Sequence, residues 1–217
     1  MADLTLQQIV LRFFALVLIV GVHGAVVAAM ACALGDQGPR YDERLKASPL
    51  AHIDLLGLAS GVLFSVGWIK PIAIDPAALR VGRIGLLIIV AVAAIAVLAF
   101  AIALQLLRPL LLPFLADTPS TLAFGLIETI GQLGIWFALI NLFPLPPLTG
   151  SHLLTAIIPA AGEFTRRYHI YFALGLTALA ATGMITRMLE PVYRMVAEIS
   201  CVASPYGRRP ARRDSGP

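Results

Sequence analysis

Long uninterrupted apolar stretches dominate this chain, and polar residues are concentrated between them. The four longest stretches are Ile9–Leu34, Ile84–Leu107, Leu122–Phe143 and Tyr168–Met188, each bounded by charged residues or proline. A helix needs about 20 apolar residues to cross about 30 Å of hydrocarbon, and each stretch meets that length. The pattern therefore predicts an all-α protein, a polytopic bundle of transmembrane helices.

A fifth apolar stretch, Leu55–Ile69, is ambiguous because its fifteen residues fall short of an upright membrane span. It predicts either a short helix or a re-entrant element that enters and leaves the membrane on one side. Gly57, Gly61 and Gly67 favour close helix packing, since small residues let backbones approach each other in a membrane. We expect four to five transmembrane helices, with this possible re-entrant segment, in one domain over residues 1–198.

The composition supports a membrane location and argues against an ordinary soluble protein. Of the 217 residues, 59% are hydrophobic and 13% are charged, and the mean hydropathy is +0.89. Soluble domains carry about 25% charged residues. We therefore expect nearly all of this chain to lie within or against a membrane.

The first segment with recognisable chemistry is the pentapeptide that begins at His23 and reads H-G-A-V-V. A zinc-protease helix reads H-E-x-x-H, in which two His hold the metal and the Glu acts as general base. In this chain Gly24 stands in place of the Glu, and Val27 stands in place of the second His. Only one residue of the catalytic set is therefore present on this helix.

Further segments follow in a fixed order along the chain. Arg44–Leu45 precedes Ser48–Gly57, which reads S-P-L-A-H-I-D-L-L-G, and Gly67–Pro76 reads G-W-I-K-P-I-A-I-D-P. The last segment, Asn141–Gly150, reads N-L-F-P-L-P-P-L-T-G. Together with the pentapeptide at His23, this series resembles the site-2 protease family of intramembrane zinc metalloproteases in its short bacterial form.

The resemblance implies a site-2-protease-like helical core in a bacterial inner membrane, and it also implies lost chemistry. The family has H-E-x-x-H on one membrane helix and N-x-x-P-x-P-P-L-D-G on a later one, whose Asp is the third zinc ligand. Gly24, Val27 and Thr149 stand at the positions of the base, the second His and that Asp. A catalytic zinc needs about three protein ligands, and a general base contributes about 10²–10⁴-fold. We therefore predict a pseudoprotease with no intact catalytic residue, no metal and no cofactor.

The position of His23 allows two interpretations. It is either a residual metal ligand or a neutral imidazole that is hydrogen-bonded within the bundle, and we favour the second. An alternative is an active zinc metalloprotease whose site is rebuilt from His23, His52 and His152. If the alignment with the family is right, His23 and Thr149 face each other across a shared cavity, with their Cα atoms within about 15 Å, or three helical turns.

The proline-rich segment is the candidate surface for binding a substrate or partner. Pro144, Pro146 and Pro147 cannot continue a regular helix, and Asn141 can cover some of the carbonyls that the broken helix leaves free. In the family this element lies beside the site and receives the unwound substrate strand. The chain is therefore predicted to bind other transmembrane proteins as an accessory subunit, adaptor or assembly factor. A second alternative is a bundle that binds a lipid or pigment.

Two further features concern packing and charge. Small residues form a stripe along the first helix, which is suited to close approach by the Asn141–Thr149 element or by a partner; they are Gly21, Gly24, Ala25, Ala28 and Ala31. The net charge is +4, and residues 199–217 form a basic tail that contains R-R-P-A-R-R at 208–213. We expect this tail to be disordered and to contact anionic lipids. Nucleic acid is not an expected partner.

Overall fold

The computed structural model describes residues 4–46, 48–111 and 120–203, and within them the chain is helical. The elements are α1 (Leu6–Leu34), α2 (Gly38–Tyr41), a 3-10 turn (Pro49–Ala51), α3 (Leu55–Phe64), α4 (Ile84–Leu111), α5 (Ser120–Asn141), α6 (Ser151–Ile157), α7 (Ala160–Ala181) and α8 (Met184–Ala203). No β-strand is formed by the described residues apart from one isolated bridge. The predicted all-α class is confirmed.

Helices α1, α4 and α5 form the centre of the bundle. The start of α5 lies beside the start of α1, because a Cβ on Gly125 would contact Leu11 at 3.1 Å. Further along, the rings of His23 and Phe137 are 5.2 Å apart, so α1 and α5 run parallel. Helix α4 runs in the opposite direction to α5, since Gly134 lies against Ala101 and Gly131 lies against Gln105, one turn further along α4.

Three helices in the described part of the chain are long and apolar enough to cross a membrane: Leu6–Leu34, Ile84–Leu110 and Leu122–Asn141. A fourth crossing is added if α7 and α8 form one span, but these helices are bent by 74° relative to each other. The multi-pass bundle is confirmed. The apolar run predicted at 168–188 is not one straight helix, because the chain breaks at Thr182 and Gly183, where Gly183 has a φ of 71°.

The segment after the first helix is re-entrant. Helix α3 ends at Phe64 and is capped by Ser65, which is in the left-handed conformation. The chain then turns back as residues 66–76, which we call the returning strand although only Ile69 forms a β-bridge. Ile53 and Ile69 form an antiparallel bridge, and the Lys70 amide donates to the His52 carbonyl at 2.8 Å. Because both ends of the segment lie side by side, it does not cross the membrane.

Close backbone contacts hold this re-entrant segment, as its glycines predict. A Cβ on Gly57 would lie 2.6 Å from the Trp68 carbonyl oxygen, and one on Gly61 would lie 2.8 Å from a Leu16 methyl group. At the tip, a guanidinium nitrogen of Arg12 donates to the Val62 carbonyl at 3.0 Å. Arg12 therefore satisfies a carbonyl in the last turn of α3, where a positive charge also favours the helix dipole.

Helices α7 and α8 pack on the outside of the bundle around a second apolar cluster. Its buried members are Val66, Trp68, Trp136, Ile140, Leu148, Ala173, Leu176 and Ala180. Helix α8 continues past residue 198 to Ala203, and residues 204–217 of the predicted basic tail lie outside the described residues.

Candidate functional site

His23 and Thr149 meet at the centre of the bundle. Both residues are buried, and His23 Nε2 lies 2.9 Å from the Thr149 hydroxyl oxygen, which is a hydrogen bond. The predicted juxtaposition of these two residues is therefore confirmed. They are in direct contact, however, and no cavity separates them.

Asn141 extends this contact into a network. Its amide nitrogen donates to the carbonyls of Gly67 at 3.0 Å and Phe137 at 2.9 Å. Its side-chain oxygen accepts weaker hydrogen bonds from the Thr149 amide at 3.4 Å and the Thr149 hydroxyl at 3.5 Å. The network links α1, the end of α5, the proline-rich segment and the returning strand of the re-entrant element. Asn141 thus covers the Phe137 carbonyl in the last turn of α5, as predicted for a broken helix. It also covers the Gly67 carbonyl, which the sequence did not predict.

The space beside Gly24 is filled by His52. The His52 side chain is buried against α1, and a Cβ on Gly24 would lie 2.7 Å from the His52 Cβ and closer still to two ring atoms. Real Cβ atoms essentially never approach a heavy atom so closely. One turn earlier, a Cβ on Gly21 would lie 3.2 Å from the Pro49 ring. At Gly21 and Gly24 the small-residue stripe of α1 therefore packs against Pro49 and His52 of the same chain, which neither of the two expected occupants, the Asn141–Thr149 element or a partner, included.

The state of His52 follows from its surroundings. Neither ring nitrogen has a hydrogen-bond partner among the described residues. Burial lowers the pKa of His52, and the positive charge of Arg44 lowers that pKa further. The ring is therefore neutral at pH 7, and it faces α1 at the position where the resemblance places the catalytic Glu.

The donor atoms present do not fit a zinc site. Within residues 4–46, 48–111 and 120–203, no group of three or more His, Cys, Asp or Glu side chains is placed to hold a metal ion. His23 Nε2 is engaged by Thr149. His152 lies on α6 and lines a separate cavity, described next, that does not include His23. The candidates His23, His52 and His152 do not converge on one point.

A cavity of about 1120 Å³ lies beside this network. The returning strand, the proline-rich segment with α6, and the first turns of α7 form its walls. Pro146 and Pro147 line it, whereas Pro144 is exposed outside it. Six charged side chains of both signs also line the cavity: Asp54, Lys70, Asp75, Arg83, Glu163 and Arg166.

One wall of the cavity is an extended segment that sequence reasoning did not single out. Residues 71–74 make no backbone hydrogen bond within the described chain, so the amides of residues 72–74 and the carbonyls of residues 71–74 are available to an added strand, while Pro71 has no N–H to offer. Ile72 is buried and Ile74 is half-buried, while Ala73 and Asp75 are exposed. This alternation of more buried and exposed side chains is typical of a β-strand. The sequence I-A-I-D at residues 72–75 could have indicated it.

Comparison with known proteins gives one similarity. The chain is 24% identical over 140 residues to "Putative zinc metalloprotease YwhC" of Bacillus subtilis (strain 168). The matched region covers 63% of this chain and 64% of that protein, so it spans less than two thirds of the relative. No family model matches the chain, and no solved structure matches it.

Proposed function

We propose that this chain is a catalytically inactive relative of the site-2 protease family, which acts by binding other transmembrane proteins in a bacterial inner membrane. The proposal rests on one observation: side chains of this protein fill the place where the resemblance puts a catalytic centre. The His52 side chain fills the space beside Gly24, and Thr149 holds His23 by a hydrogen bond. The similarity to a protein named as a zinc metalloprotease supports the ancestry.

The chemistry of the residues supports the loss of catalysis. A catalytic zinc needs about three protein ligands and an open position for water. Thr149 supplies only a neutral hydroxyl, and Val27 supplies no donor atom. Gly24 has no side chain that could take a proton from water, and the described structure leaves no space for one. These positions therefore supply neither the ligands for a catalytic zinc nor a general base.

The cavity supports a retained binding role. An extended peptide can add a strand to an exposed edge, in which main-chain hydrogen bonds give affinity and side-chain pockets give specificity. The edge at 71–74 has peptide groups without a backbone partner in the described chain, and it lines the same cavity as Pro146 and Pro147. Charged groups of both signs line the rest of the cavity. We infer that the occupant is an extended segment of another membrane protein near the membrane boundary, and that this chain serves as its accessory subunit or adaptor.

Site-specific photo-crosslinking tests this role. A benzophenone amino acid is placed at Ala73, on the exposed edge, or at Ala99, on the exposed surface of α4, as the control. The expected result is a discrete protein adduct at position 73 that is absent at 99, with the crosslink mapping to an extended juxtamembrane segment of the partner. Lipid adducts alone at position 73 would favour the lipid-binding alternative, and equal labelling at both positions would refute the binding site.

Two substitutions at Ala73 test whether the partner adds a strand at this edge or only lies close to it. Ala73→Pro removes a backbone N–H that an added strand would need, while Ala73→Val keeps this donor and has a strand-favouring side chain. Co-purification of the crosslinked partner from mild detergent is expected to fall with the Pro variant and persist with the Val variant. Elemental analysis and a peptidase assay on the same preparations test the inactive status. One zinc per chain, lost in His23→Ala, would overturn it.

A further inference from the structure

Helix α8 carries an apolar stripe that nothing in the described chain covers. Its members are Met184, Met188, Val192, Met195 and Ile199, which are spaced by three or four residues and so share one face. They are 40% to 71% exposed, with Met188 the most exposed. Three of the five are methionines, whose flexible side chains adapt to irregular surroundings.

The other two faces of α8 have clear environments. Ile185, Leu189 and Tyr193 pack on the second apolar cluster, and the Tyr193 ring stacks on Trp136 with centroids 4.5 Å apart. The third face carries four charged residues, Arg187, Glu190, Arg194 and Glu198. Arg194 and Glu190 form an exposed ion pair at 2.9 Å. The helix therefore presents one face to protein, one charged face and one exposed apolar face.

This arrangement argues against α8 as the second half of a membrane span. A crossing would place four charges in hydrocarbon, where ionisable residues are costly and face protein or water. The 74° bend after α7 also turns α8 far from the direction of its neighbour. If α7 runs along the membrane normal, α8 runs nearly in the membrane plane.

The contact between α8 and α5 shows where α8 lies along the length of the α5 span. Trp136, which contacts Tyr193, shares a face of α5 with Gln132 and Glu128, which lie one and two turns nearer to the start of that helix. Both polar residues are exposed, and they are hydrogen-bonded to each other at 3.4 Å. Helix α8 thus contacts α5 beyond these polar residues, at Trp136, which lies five residues, or about 7.5 Å, before Asn141 at the end of the α5 span.

We propose that α8 is an interfacial helix that rests its Met184–Ile199 stripe on the lipid surface, with its charged face toward water. A strongly amphipathic helix with separate charged and apolar faces is the type that lies in the interface plane. Four arginines at 208, 209, 212 and 213 follow within ten residues of the helix end, and they match an anionic lipid surface in charge.

Depth-dependent fluorescence quenching tests this assignment on the full chain in nanodiscs of phosphatidylcholine and phosphatidylglycerol. Cys32 and Cys201 are replaced by Ser, and single cysteines are introduced as Met188→Cys on the stripe or Arg194→Cys on the charged face. Ala103→Cys, on an exposed part of α4 at the level of Gly131 and Gly134 near the middle of the α5 span, serves as the deep control. Each cysteine carries a bimane label, and the quenchers are doxyl lipids labelled near the headgroup or near the chain end, and aqueous iodide.

The assignment makes distinct predictions at the three positions. The ratio of shallow to deep doxyl quenching is expected to exceed one at position 188 and to fall below one at position 103. Iodide is expected to quench at 194 but not at 188. Stronger deep quenching at 188 would show a crossing helix, and iodide quenching there would show a solvated face. Protection from all three quenchers would show a protein partner or a second copy, and each of these outcomes would overturn the proposal. Met195→Cys repeats the test if Met188→Cys does not fold.

Discussion

The contact between Gly24 and His52 makes a sharp prediction about Gly24→Ala. Adding one methyl group at this position brings the new Cβ to 2.7 Å from the His52 Cβ and closer to its ring. Because one of these atoms is a Cβ, a simple rotation of the imidazole cannot relieve the overlap. The Pro49–His52 segment must move away from α1, or the helix must bend.

The magnitude follows from two opposing effects. Overpacking a well-filled site costs about 1–3 kcal/mol, whereas Ala in place of Gly stabilises a helix interior by about 1 kcal/mol. Gly24→Ala is therefore expected to lower the free energy of unfolding by about 0–2 kcal/mol. Gly175 is a matched control, because it lies in α7 with nothing within 4 Å of an added Cβ. Gly175→Ala is expected to raise the free energy of unfolding by up to about 1 kcal/mol.

Thermal and denaturant unfolding in mild detergent, followed by tryptophan fluorescence, measures both variants. A double-mutant cycle with His52→Gly isolates the contact, because removing the His52 Cβ together with the ring should turn the effect of Gly24→Ala from loss to gain. The expected coupling free energy is about 1–3 kcal/mol. If Gly24→Ala behaves like Gly175→Ala, or has the same cost with and without the His52 side chain, the close contact is not real.

Three other outcomes test the site and its supports. Thr149→Val removes the hydroxyl that contacts His23 and should lower stability by about 1–3 kcal/mol, because a buried polar atom loses its partner; Thr177→Val should have little effect, since the Thr177 hydroxyl bonds only within its helix to the Ala173 carbonyl. Arg12→Met should speed amide hydrogen exchange in α3 relative to α5, because the last turn of α3 loses its donor, and unchanged exchange would show that the contact is dispensable. Purified protein should contain zinc well below one ion per chain, and stoichiometric zinc by elemental analysis would contradict the proposed loss of the site.

The sequence predicted the spanning helices well because the signal for a membrane span is local. The three spans α1, α4 and α5 follow from apolar length alone, and their observed bounds lie close to the predicted runs. The meeting of His23 and Thr149 was also predictable, since the resemblance of two ordered segments to one family implies one shared centre. Both predictions needed only the order and character of residues along the chain.

The arrangement of the loops was not predictable in the same way. The small-residue stripe on α1 indicated a close approach by the Asn141–Thr149 element or by a partner. The sequence did not indicate that Pro49 and His52 would make this approach at Gly21 and Gly24, because it does not show the path of the chain between α1 and α3. The α7–α8 bend was not predicted, because the hydropathy of residues 168–188 does not show in which direction a helix runs. A signal was available in the charged residues at 187, 190, 194 and 198, whose helical spacing indicates an amphipathic helix distinct from a span.

The substitution at Thr149 has a physical logic if the chain descends from a zinc protease, as we propose. An Asp at this position would be stabilised by a bound zinc ion, but without the metal it would be a buried, unpaired charge at the centre of the bundle. Removing one partner of a buried ionic pair costs about 3–5 kcal/mol. A threonine keeps an oxygen 2.9 Å from His23 Nε2 and carries no charge. The loss of the metal and the loss of the Asp are therefore coupled, and an Asp restored alone at Thr149 should destabilise the bundle instead of reviving the site.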